Sequence, residues 1–221
     1  MRKGDRRVAI LSHAWLNGEQ AHPDVTDGKL VAIAHFLNHH DKDKHIEAFF
    51  IDYMCVPQVE TDGSFKRSDA DQKRYDRAAA VMPALYASPM GTMVVRLKAS
   101  PPGRPYDDRG WCILETNSAN EVVCRAMCYP KLKAVLDALP PKLLDIGGAN
   151  IEGTSYDPEA PPTVVEMPPA RSGGERERIE ASRRELSERA TFNPNYKGDR
   201  ELAVRLMNEF ITAVSNALTY A

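Results

Sequence analysis

The chain has 221 residues, of which 43% are hydrophobic and 7% aromatic, a composition that can build the core of one globular domain. Its 29 Lys and Arg residues nearly balance its 31 Asp and Glu residues, so the charge does not point to nucleic acid as a partner. No apolar run is long enough to span a bilayer, and the first residues lack the apolar region of a secretory signal. We therefore expect a cytoplasmic protein without a membrane partner, in which the four cysteines are reduced thiols.

Short apolar runs alternate along the chain with longer amphipathic segments. The predicted strands lie at residues 7–12, 46–52, 91–97, 142–146 and 163–167. The predicted helices lie at residues 29–39, 71–87, 111–127, 132–139, 175–189 and 199–218. This alternation favours an α/β fold with a mostly parallel five-stranded sheet flanked by helices, and with extra C-terminal helices. We expect a single domain over residues 1–221, with its core at 7–146 and an extension at 147–221 packed on that core.

Two of the predicted helices carry clear apolar stripes, which we expect to face the core. In the helix at 29–39 the stripe consists of Leu30, Ile33, Ala34 and Leu37. In the last helix it consists of Leu202, Leu206, Phe210, Val214 and Leu218. The helix at 175–189 is highly charged, so a solvated face is its simplest interpretation and a partner surface is the alternative.

The expected order of the strands predicts where a ligand would bind. In the flavodoxin-like order 2-1-3-4-5, the switch point lies between the first and third strands, and ligands of open α/β sheets bind at such a point. Ser12, His13 and Trp15 lie at the end of the first strand or just beyond it, while the helix with Trp111 and Glu115 begins across the loop from the third. The topology therefore predicts one crevice that contains all five residues.

The segment Tyr106-Asp-Asp-Arg-Gly-Trp-Cys-Ile-Leu-Glu115 combines a turn with the start of a helix. Trp111 and Glu115 are four residues apart, so the indole and the carboxylate lie on one helical face. A carboxylate beside a flat apolar ring can recognise a sugar or a developing cation. The alternative is a core Trp with a solvated Glu, and spacing alone does not separate the two interpretations.

Other residues with reactive or ligating side chains give weaker signals. His35 and His39 are four apart on a helix, but no Glu follows His35 as in a zinc protease, and no third ligand is evident. Cys112 adjoins the motif, and we expect it to pack in the core rather than act as a nucleophile. The sequence has no glycine-rich phosphate loop. We therefore predict no metal site and no bound redox cofactor.

Three segments together resemble the Toll/interleukin-receptor (TIR) domain superfamily. They are the strand that ends in Ser12-His13-x-Trp15, the strand that ends in Ile51-Asp52-Tyr53, and the helix start Arg109-Gly-Trp-Cys-x-x-Glu115. The resemblance covers residues 7–128 and is closer to TIR-like domains of microbial and protist proteins than to other members. It implies a flavodoxin-like, TIR-like fold. The loop after the second strand departs from the family pattern, because it carries Cys-Val-Pro-Gln and a charged insert where family members often self-associate.

The resemblance also implies an activity. In enzymatic members of the superfamily, the Glu of this motif is needed to cleave the N-glycosidic bond of NAD⁺. This role falls on Glu115, with Trp111 as the ring beside it. We expect Ser12, His13 and Trp15 to line the same mouth and contact phosphates or a base, and Asp52 to lie at its rim or orient a loop. A structural role is the alternative for Ser12 and Asp52, and NAD⁺ is expected as a substrate rather than a cofactor.

A single carboxylate suffices for this reaction because the leaving group is already charged. Ordinary glycosidases need two carboxylates, since a neutral leaving group must be protonated while the sugar is attacked. The nicotinamide nitrogen of NAD⁺ is cationic and departs as a neutral base without an acid. What remains is to stabilise an oxocarbenium-like ribose and to position its hydroxyls, which one carboxylate can do.

The first interpretation is thus an NAD⁺ glycohydrolase or cyclase in immune, antiviral-defence or cell-death signalling, whose product the sequence does not determine. The alternatives are a non-catalytic TIR-type interaction or adaptor module, and an N-glycosidic enzyme that resembles nucleoside ribosyltransferases. The expected partners are NAD⁺ and either further copies of the chain or another TIR-containing or effector protein, because many TIR enzymes complete their sites by assembly.

Overall fold

Apolar runs at the predicted strand positions form one sheet in the computed structural model, which describes residues 6–14, 28–40, 45–56, 67–98, 105–147, 160–165, 174–192 and 198–219. The strands are β1 (Val8–His13), β2 (Ala48–Phe50), β3 (Thr92–Leu97), β4 (Leu143–Ile146) and β5 (Thr163–Val164). Their order in the sheet is β2-β1-β3-β4-β5, as the sequence predicts. Strands β1 to β4 are parallel and β5 is antiparallel to β4, so the fold is α/β with a mostly parallel sheet.

Seven α-helices are described around this sheet. They are α1 (Gly28–His39), α2 (Asp52–Cys55), α3 (Asp69–Tyr86), α4 (Gly110–Met127), α5 (Pro130–Asp137), α6 (Glu175–Arg184) and α7 (Asp199–Thr219). A 3-10 turn at Tyr106–Asp108 leads into α4, and a π-helical turn at Glu185–Arg189 follows α6. None of the helices in the described ranges is both long and apolar enough to cross a membrane.

The second strand, at one edge of the sheet, is shorter than the sequence predicts. The second strand was expected at 46–52, but β2 ends at Phe50, and Asp52 begins the single helical turn α2. The fifth strand is predicted at 163–167; Thr163 and Val164 pair with β4, the Val165 N–H donates to the Leu143 carbonyl at 3.2 Å, and residues 166 and 167 lie outside the described residues. An edge strand is hydrogen-bonded to one neighbour only, so its apolar pattern overstates the length over which pairing is maintained.

Helices cover both faces of the sheet, which explains why the central strands are apolar throughout. On one face, Leu11 of β1 belongs to a buried cluster with Phe36 of α1. On the other face, Ile10 belongs to a buried cluster with Tyr86 of α3 and Ala119 of α4. Successive side chains of β1 therefore point alternately toward α1 and toward α3 and α4.

The buried face of α1 is offset by about one residue from the apolar stripe that the sequence predicts. Its buried residues are Lys29, Ala32, Ile33 and Phe36. Leu30, which was expected in the core, is 43% exposed, and Ala34 is exposed as well. Both sets have the spacing of one helical face, so periodicity alone does not choose between them. The Lys29 side chain binds the end of β1 and thereby fixes which face turns inward.

The buried face of α7 also differs from the expected one. Its buried residues are Ala203, Met207, Phe210 and Ile211, whereas Leu206 and Val214 are only partly buried. The predicted stripe took every fourth residue, and such a line drifts around a helix of 3.6 residues per turn. The observed face follows the helical period over the same length.

The C-terminal elements pack on α4 through both apolar and charged side chains. Ile179 of α6, Leu186 of the π-helical turn and Met207 of α7 belong to one buried cluster with residues of α4. Beside it, the carboxylate of Glu121 on α4 accepts hydrogen bonds from Arg125 at 2.8 Å and from Arg178 of α6 at 3.0 Å. Most of α6 is exposed, in agreement with the solvated face that the sequence predicts, but Arg178 turns inward and neutralises a buried carboxylate.

Candidate active site at the carboxyl ends of strands β1 and β3

Ser12 and Glu115, which lie far apart in the sequence, are in direct contact. Ser12 is fully buried near the end of β1 and points toward α4. Its hydroxyl donates to the Glu115 carboxylate, with 2.5 Å between Ser12 Oγ and Glu115 Oε2. Glu115 is partly buried one turn after the start of α4. The predicted crevice therefore brings together the strand end and the helix start that the sequence singled out.

Two tyrosines complete the surroundings of this carboxyl group. The Tyr106 hydroxyl is hydrogen-bonded to Ser12 Oγ, whereas the Tyr86 hydroxyl donates to the Leu11 carbonyl at 3.3 Å and lies within hydrogen-bonding reach of Glu115. A serine has one hydroxyl proton, and Ser12 donates it to Glu115, so Tyr106 must donate to Ser12. Tyr106, Ser12 and Glu115 thus form a directed chain of hydrogen bonds that ends at the carboxyl oxygen.

The surroundings of Glu115 change its acidity. Burial raises the pKa of this carboxyl from 4.5 to about 8. The hydrogen bonds from Ser12 and Tyr86 lower the pKa, because they stabilise the ionised form, whereas the negative charge of Asp52 raises it. Without a ligand, the carboxyl group is therefore mostly protonated at neutral pH, and it ionises readily when a positive charge comes close.

His13 points to the opposite side of the sheet and forms a second cluster. Its Nε2 atom lies 3.0 Å from Asp52 Oδ1, and its Nδ1 atom lies 2.7 Å from Lys29 Nζ. An ammonium group has no lone pair, so Nδ1 accepts the proton of Lys29 and Nε2 donates to Asp52. Lys29 also donates to the carbonyl of Ala14 at 2.6 Å. This arrangement fixes the His13 ring between a cation and a carboxylate, and the charge of Asp52 reaches Glu115.

Trp111 is bound to the C-terminal extension. Its indole N–H donates to Asp199 Oδ2 at 3.0 Å, and its ring meets Phe192 edge-to-face at a centroid distance of 6.4 Å. The side chain is 36% exposed, so part of the ring remains open to solvent. A role for Trp111 in substrate binding stays a prediction, as does that of Trp15, which lies outside the described residues.

Sequence reasoning missed three residues of this site, namely Lys29, Tyr86 and Tyr106. A buried lysine in the first turn of a helix opposes the helix dipole, and α1 has no acidic residue in that turn. That conflict was the available signal for Lys29. Tyr106 is the first residue of the motif but carries no distinctive pattern. Tyr86 reaches Glu115 only through the packing of α3 on α4, and no sequence feature predicts that contact.

The structure also describes the surroundings of Cys112, His35 and His39, which gave the weaker signals in the sequence. Cys112 is buried, and burial followed by the negative charge of Glu115 raises its pKa far above the ordinary value, which keeps it a thiol. The rings of His35 and His39 lie 4.3 Å apart. Within the described residues, no group of three or more His, Cys, Asp and Glu side chains is arranged to hold a metal ion.

The site as a whole can oppose a positive charge that develops near Glu115, since a carboxyl group, two tyrosine hydroxyls and a serine hydroxyl converge there. Its interpretation depends on this geometry and on the resemblance of three sequence segments. Comparisons with protein-family models, with curated proteins and with solved structures found no match to this chain.

Proposed function

We propose that the chain cleaves the bond between nicotinamide and ribose in NAD⁺, as a glycohydrolase or cyclase with a flavodoxin-like, TIR-like fold. The observation that carries the proposal is the Glu115 carboxyl, which lies at the switch point of the sheet and is hydrogen-bonded to Ser12. The observed strand order supports the flavodoxin-like assignment. The Trp-Cys-x-x-Glu resemblance supports the choice of NAD⁺ as substrate.

The state of Glu115 suits a cationic substrate. A positively charged nicotinamide ribose next to the carboxyl group lowers its pKa and converts it to the carboxylate. The hydrogen bond from Ser12 and that from Tyr86 then stabilise the negative charge. Binding of the cation therefore creates the group that the reaction needs, at the place where it is needed.

The chemical step follows from this charge arrangement. The bond between ribose C1′ and the nicotinamide nitrogen breaks, and its electron pair leaves with nicotinamide as a neutral base. The Glu115 carboxylate opposes the positive charge that develops on the ribose and accepts hydrogen bonds from the 2′- and 3′-hydroxyls. In a glycohydrolase, water attacks C1′ and releases one of its protons to solvent. In a cyclase, a ring nitrogen of the adenine attacks with its lone pair, and the positive charge that results is relieved when the exocyclic amino group releases a proton to solvent.

We assign the other predicted residues to binding the substrate or to positioning the residues that bind it. The Asp52 side chain is 37% exposed, so it can line the rim of the site. His13 is buried on the other face of the sheet, where its ring holds Asp52 and Lys29 in place rather than contacting the substrate. We include self-association or a second TIR-containing or effector protein in the proposal, together with a cytoplasmic location and a role in immune, antiviral or cell-death signalling. These elements are supported by the TIR-like resemblance.

Replacement of Glu115 tests the proposal. We expect Glu115→Gln to lower the rate of nicotinamide release from NAD⁺ by a factor on the order of a hundred to a thousand, because the amide cannot carry the negative charge. The measurement is chromatographic detection of nicotinamide with purified full-length protein. Glu209→Gln, at an exposed position on α7, is the matched control and should retain activity. Full turnover by Glu115→Gln, or a wild-type protein that releases no nicotinamide at any concentration, would contradict the proposal.

A second candidate is supported by the same carboxyl group in its protonated form. A neutral Glu115 at pH 7 can donate a proton to a departing nucleobase, which is what the cleavage of an ordinary nucleoside requires. Release of free base from nucleosides, with none from NAD⁺, would favour this N-glycosidic activity.

A further inference from the structure

Two cations lie beside the candidate site at the carboxyl ends of β3 and β4. They are Arg96, near the end of β3, and Lys98, just after that strand. Both side chains are only 10% exposed. Two carboxylates, Asp145 and Asp107, neutralise them.

The two carboxylates differ in how firmly they are held. Asp145 belongs to β4 and makes two hydrogen bonds with Arg96, at 2.6 and 2.8 Å. This two-pronged pairing within the sheet is the geometry in which Arg binds a carboxylate most strongly. Asp107 lies in the 3-10 turn before α4, and its side chain is 65% exposed. Asp145 is therefore a fixed part of the sheet edge, whereas Asp107 is the partner that solvent or a ligand can reach.

Asp107 occupies the position of an anion between the two cations. Both of its carboxylate oxygens accept hydrogen bonds from Lys98 Nζ. One of them also lies 4.0 Å from Arg96 Nη1. A phosphate group has the same charge sign and more acceptor oxygens, so it can take this position when Asp107 turns outward.

Tyr106 connects this cation pair with Glu115. The Lys98 ammonium lies 4.8 Å from the centre of the Tyr106 ring, and the Arg96 guanidinium lies 5.8 Å from it. At its other end, the Tyr106 hydroxyl is bonded to Ser12, which donates to Glu115. The Tyr106 side chain and the Ser12 hydroxyl thus lie between the cations and the Glu115 carboxyl group. A nucleotide presents its charges in a similar way, with a 5′-phosphate at one end of a ribose and C1′ at the other.

We propose that Lys98 and Arg96 form a phosphate subsite, which binds the 5′-phosphate of the substrate's ribose in exchange for Asp107. The proposal rests on the proposed function and specifies its substrate class, namely 5′-phosphorylated ribosides rather than free nucleosides. The subsite holds the phosphate while Glu115 faces the glycosidic bond.

Binding measurements test the subsite independently of turnover. Full-length protein is titrated with ADP-ribose, and separately with inorganic pyrophosphate, in a calorimeter. We expect Lys98→Met to weaken ADP-ribose binding by about tenfold to a hundredfold, because a charge-assisted hydrogen bond to phosphate is lost. Asp107→Asn should strengthen binding of both ligands several-fold, because the competing charge is removed. Lys133→Met removes an ammonium–carboxylate contact with Asp137 on the surface, and we expect it to leave both affinities unchanged.

The opposite directions of these two effects separate a phosphate site from a structural ion pair. If the contact between Lys98 and Asp107 only stabilises the fold, both variants lower the midpoint of thermal unfolding and neither changes affinity, which would overturn the proposal. Equal weakening by Lys98→Met and Lys133→Met would overturn it as well. Lys98→Met removes the charge and keeps most of the length of a side chain that is only 10% exposed, which favours retention of the fold.

Kinetics identify the phosphate that is recognised. We expect Lys98→Met to lower kcat/KM for NAD⁺ and for nicotinamide mononucleotide by about tenfold to a hundredfold, and to leave that for nicotinamide riboside unchanged, because the riboside has no phosphate. An equal loss on the riboside would overturn the assignment. If wild-type protein binds ADP-ribose through Lys98 but cleaves none of these compounds, the proposed function fails and the subsite stands.

Discussion

At Glu115, two opposing effects act on a single carboxyl group. Burial stabilises the neutral form and brings the pKa to about 8, while hydrogen bonds from Ser12 and Tyr86 favour the ion. A cation at 4 Å, with an effective dielectric constant of about 20, stabilises the ion by about 4 kcal/mol, or about three pKa units. A bound nicotinamide ribose is therefore sufficient to return the pKa close to its ordinary value. The residue is neutral at rest and becomes a carboxylate in the complex.

This coupling predicts the pH dependence of the reaction. The ratio kcat/KM reports the free enzyme, in which Glu115 titrates at about 8. We expect kcat/KM for NAD⁺ to rise about tenfold per pH unit below that value and to level off above it, because only the ionised fraction is productive. The rise in kcat should occur at lower pH, since the bound cation lowers the pKa. Initial rates of nicotinamide release between pH 5 and 10 provide the measurement.

The reverse profile would point to a different role for the same residue. If Glu115 protonates a leaving base, kcat/KM falls above pH 8 instead of reaching a plateau. Residual activity of Glu115→Gln should show no inflection near pH 8 and serves as the control. An inflection that persists in this variant would assign the titration to another group.

Among the elements, the first turn of α4 is held by the C-terminal extension. The Gly110 N–H donates to the carbonyl of Thr191 at 2.9 Å, and the Thr191 N–H donates to the carbonyl of Asp108 at 2.6 Å. A Cβ atom at Gly110 would lie 2.0 to 2.5 Å from three atoms of the Phe192 ring. Glycine at this position thus allows the Phe192 side chain to pack directly on the start of the helix that carries Glu115.

Substitution of this glycine tests whether that contact positions the helix. We expect Gly110→Ala to lower the free energy of unfolding by about 1–3 kcal/mol, because the Phe192 ring must leave its contact with Trp111. Turnover of NAD⁺ should fall as the first turn shifts. Urea denaturation and nicotinamide release are the measurements. Gly174→Ala is the matched control, because a Cβ there meets nothing within 4 Å. If the two variants have the same free energy of unfolding, the Phe192 contact does not contribute to stability.

The elements also show what the sequence can predict. The alternation of apolar runs and helical segments predicted the mostly parallel sheet, and the flavodoxin-like order, taken as a hypothesis, placed Ser12 and Glu115 at one edge, where they meet. The rotation of α1 was not predictable, because the expected and observed faces have the same spacing and differ only in the contacts of Lys29. Tyr86 approaches Glu115 through helix packing, which no local pattern encodes. The sequence thus predicts the elements and is compatible with a small number of strand orders, and tertiary contacts decide which side chains enter the site.

In the molecule as a whole, α4 lies between the sheet and the C-terminal helices. Its inner side contributes Ala119 to the cluster beneath the sheet, and its outer side contributes Val123 to the cluster with α6 and α7. The buried Glu121 binds Arg125 on α4 and Arg178 on α6, so the layers are joined by charged as well as apolar contacts. A disturbance in the extension should therefore reach the sheet through α4.

Met207→Ala tests whether the layers unfold together. Met207 is fully buried in α7, and its loss should cost about 2–5 kcal/mol through the cavity that it leaves. We expect amide hydrogen exchange to accelerate by the same factor in β1, β3 and α7, because a single cooperative unit exchanges through one global opening. Arg205→Ala, at an exposed position of the same helix, is the control and should change the protection of none of them. Faster exchange in α7 alone, with β1 and β3 protected as before, would show that the extension opens independently of the sheet.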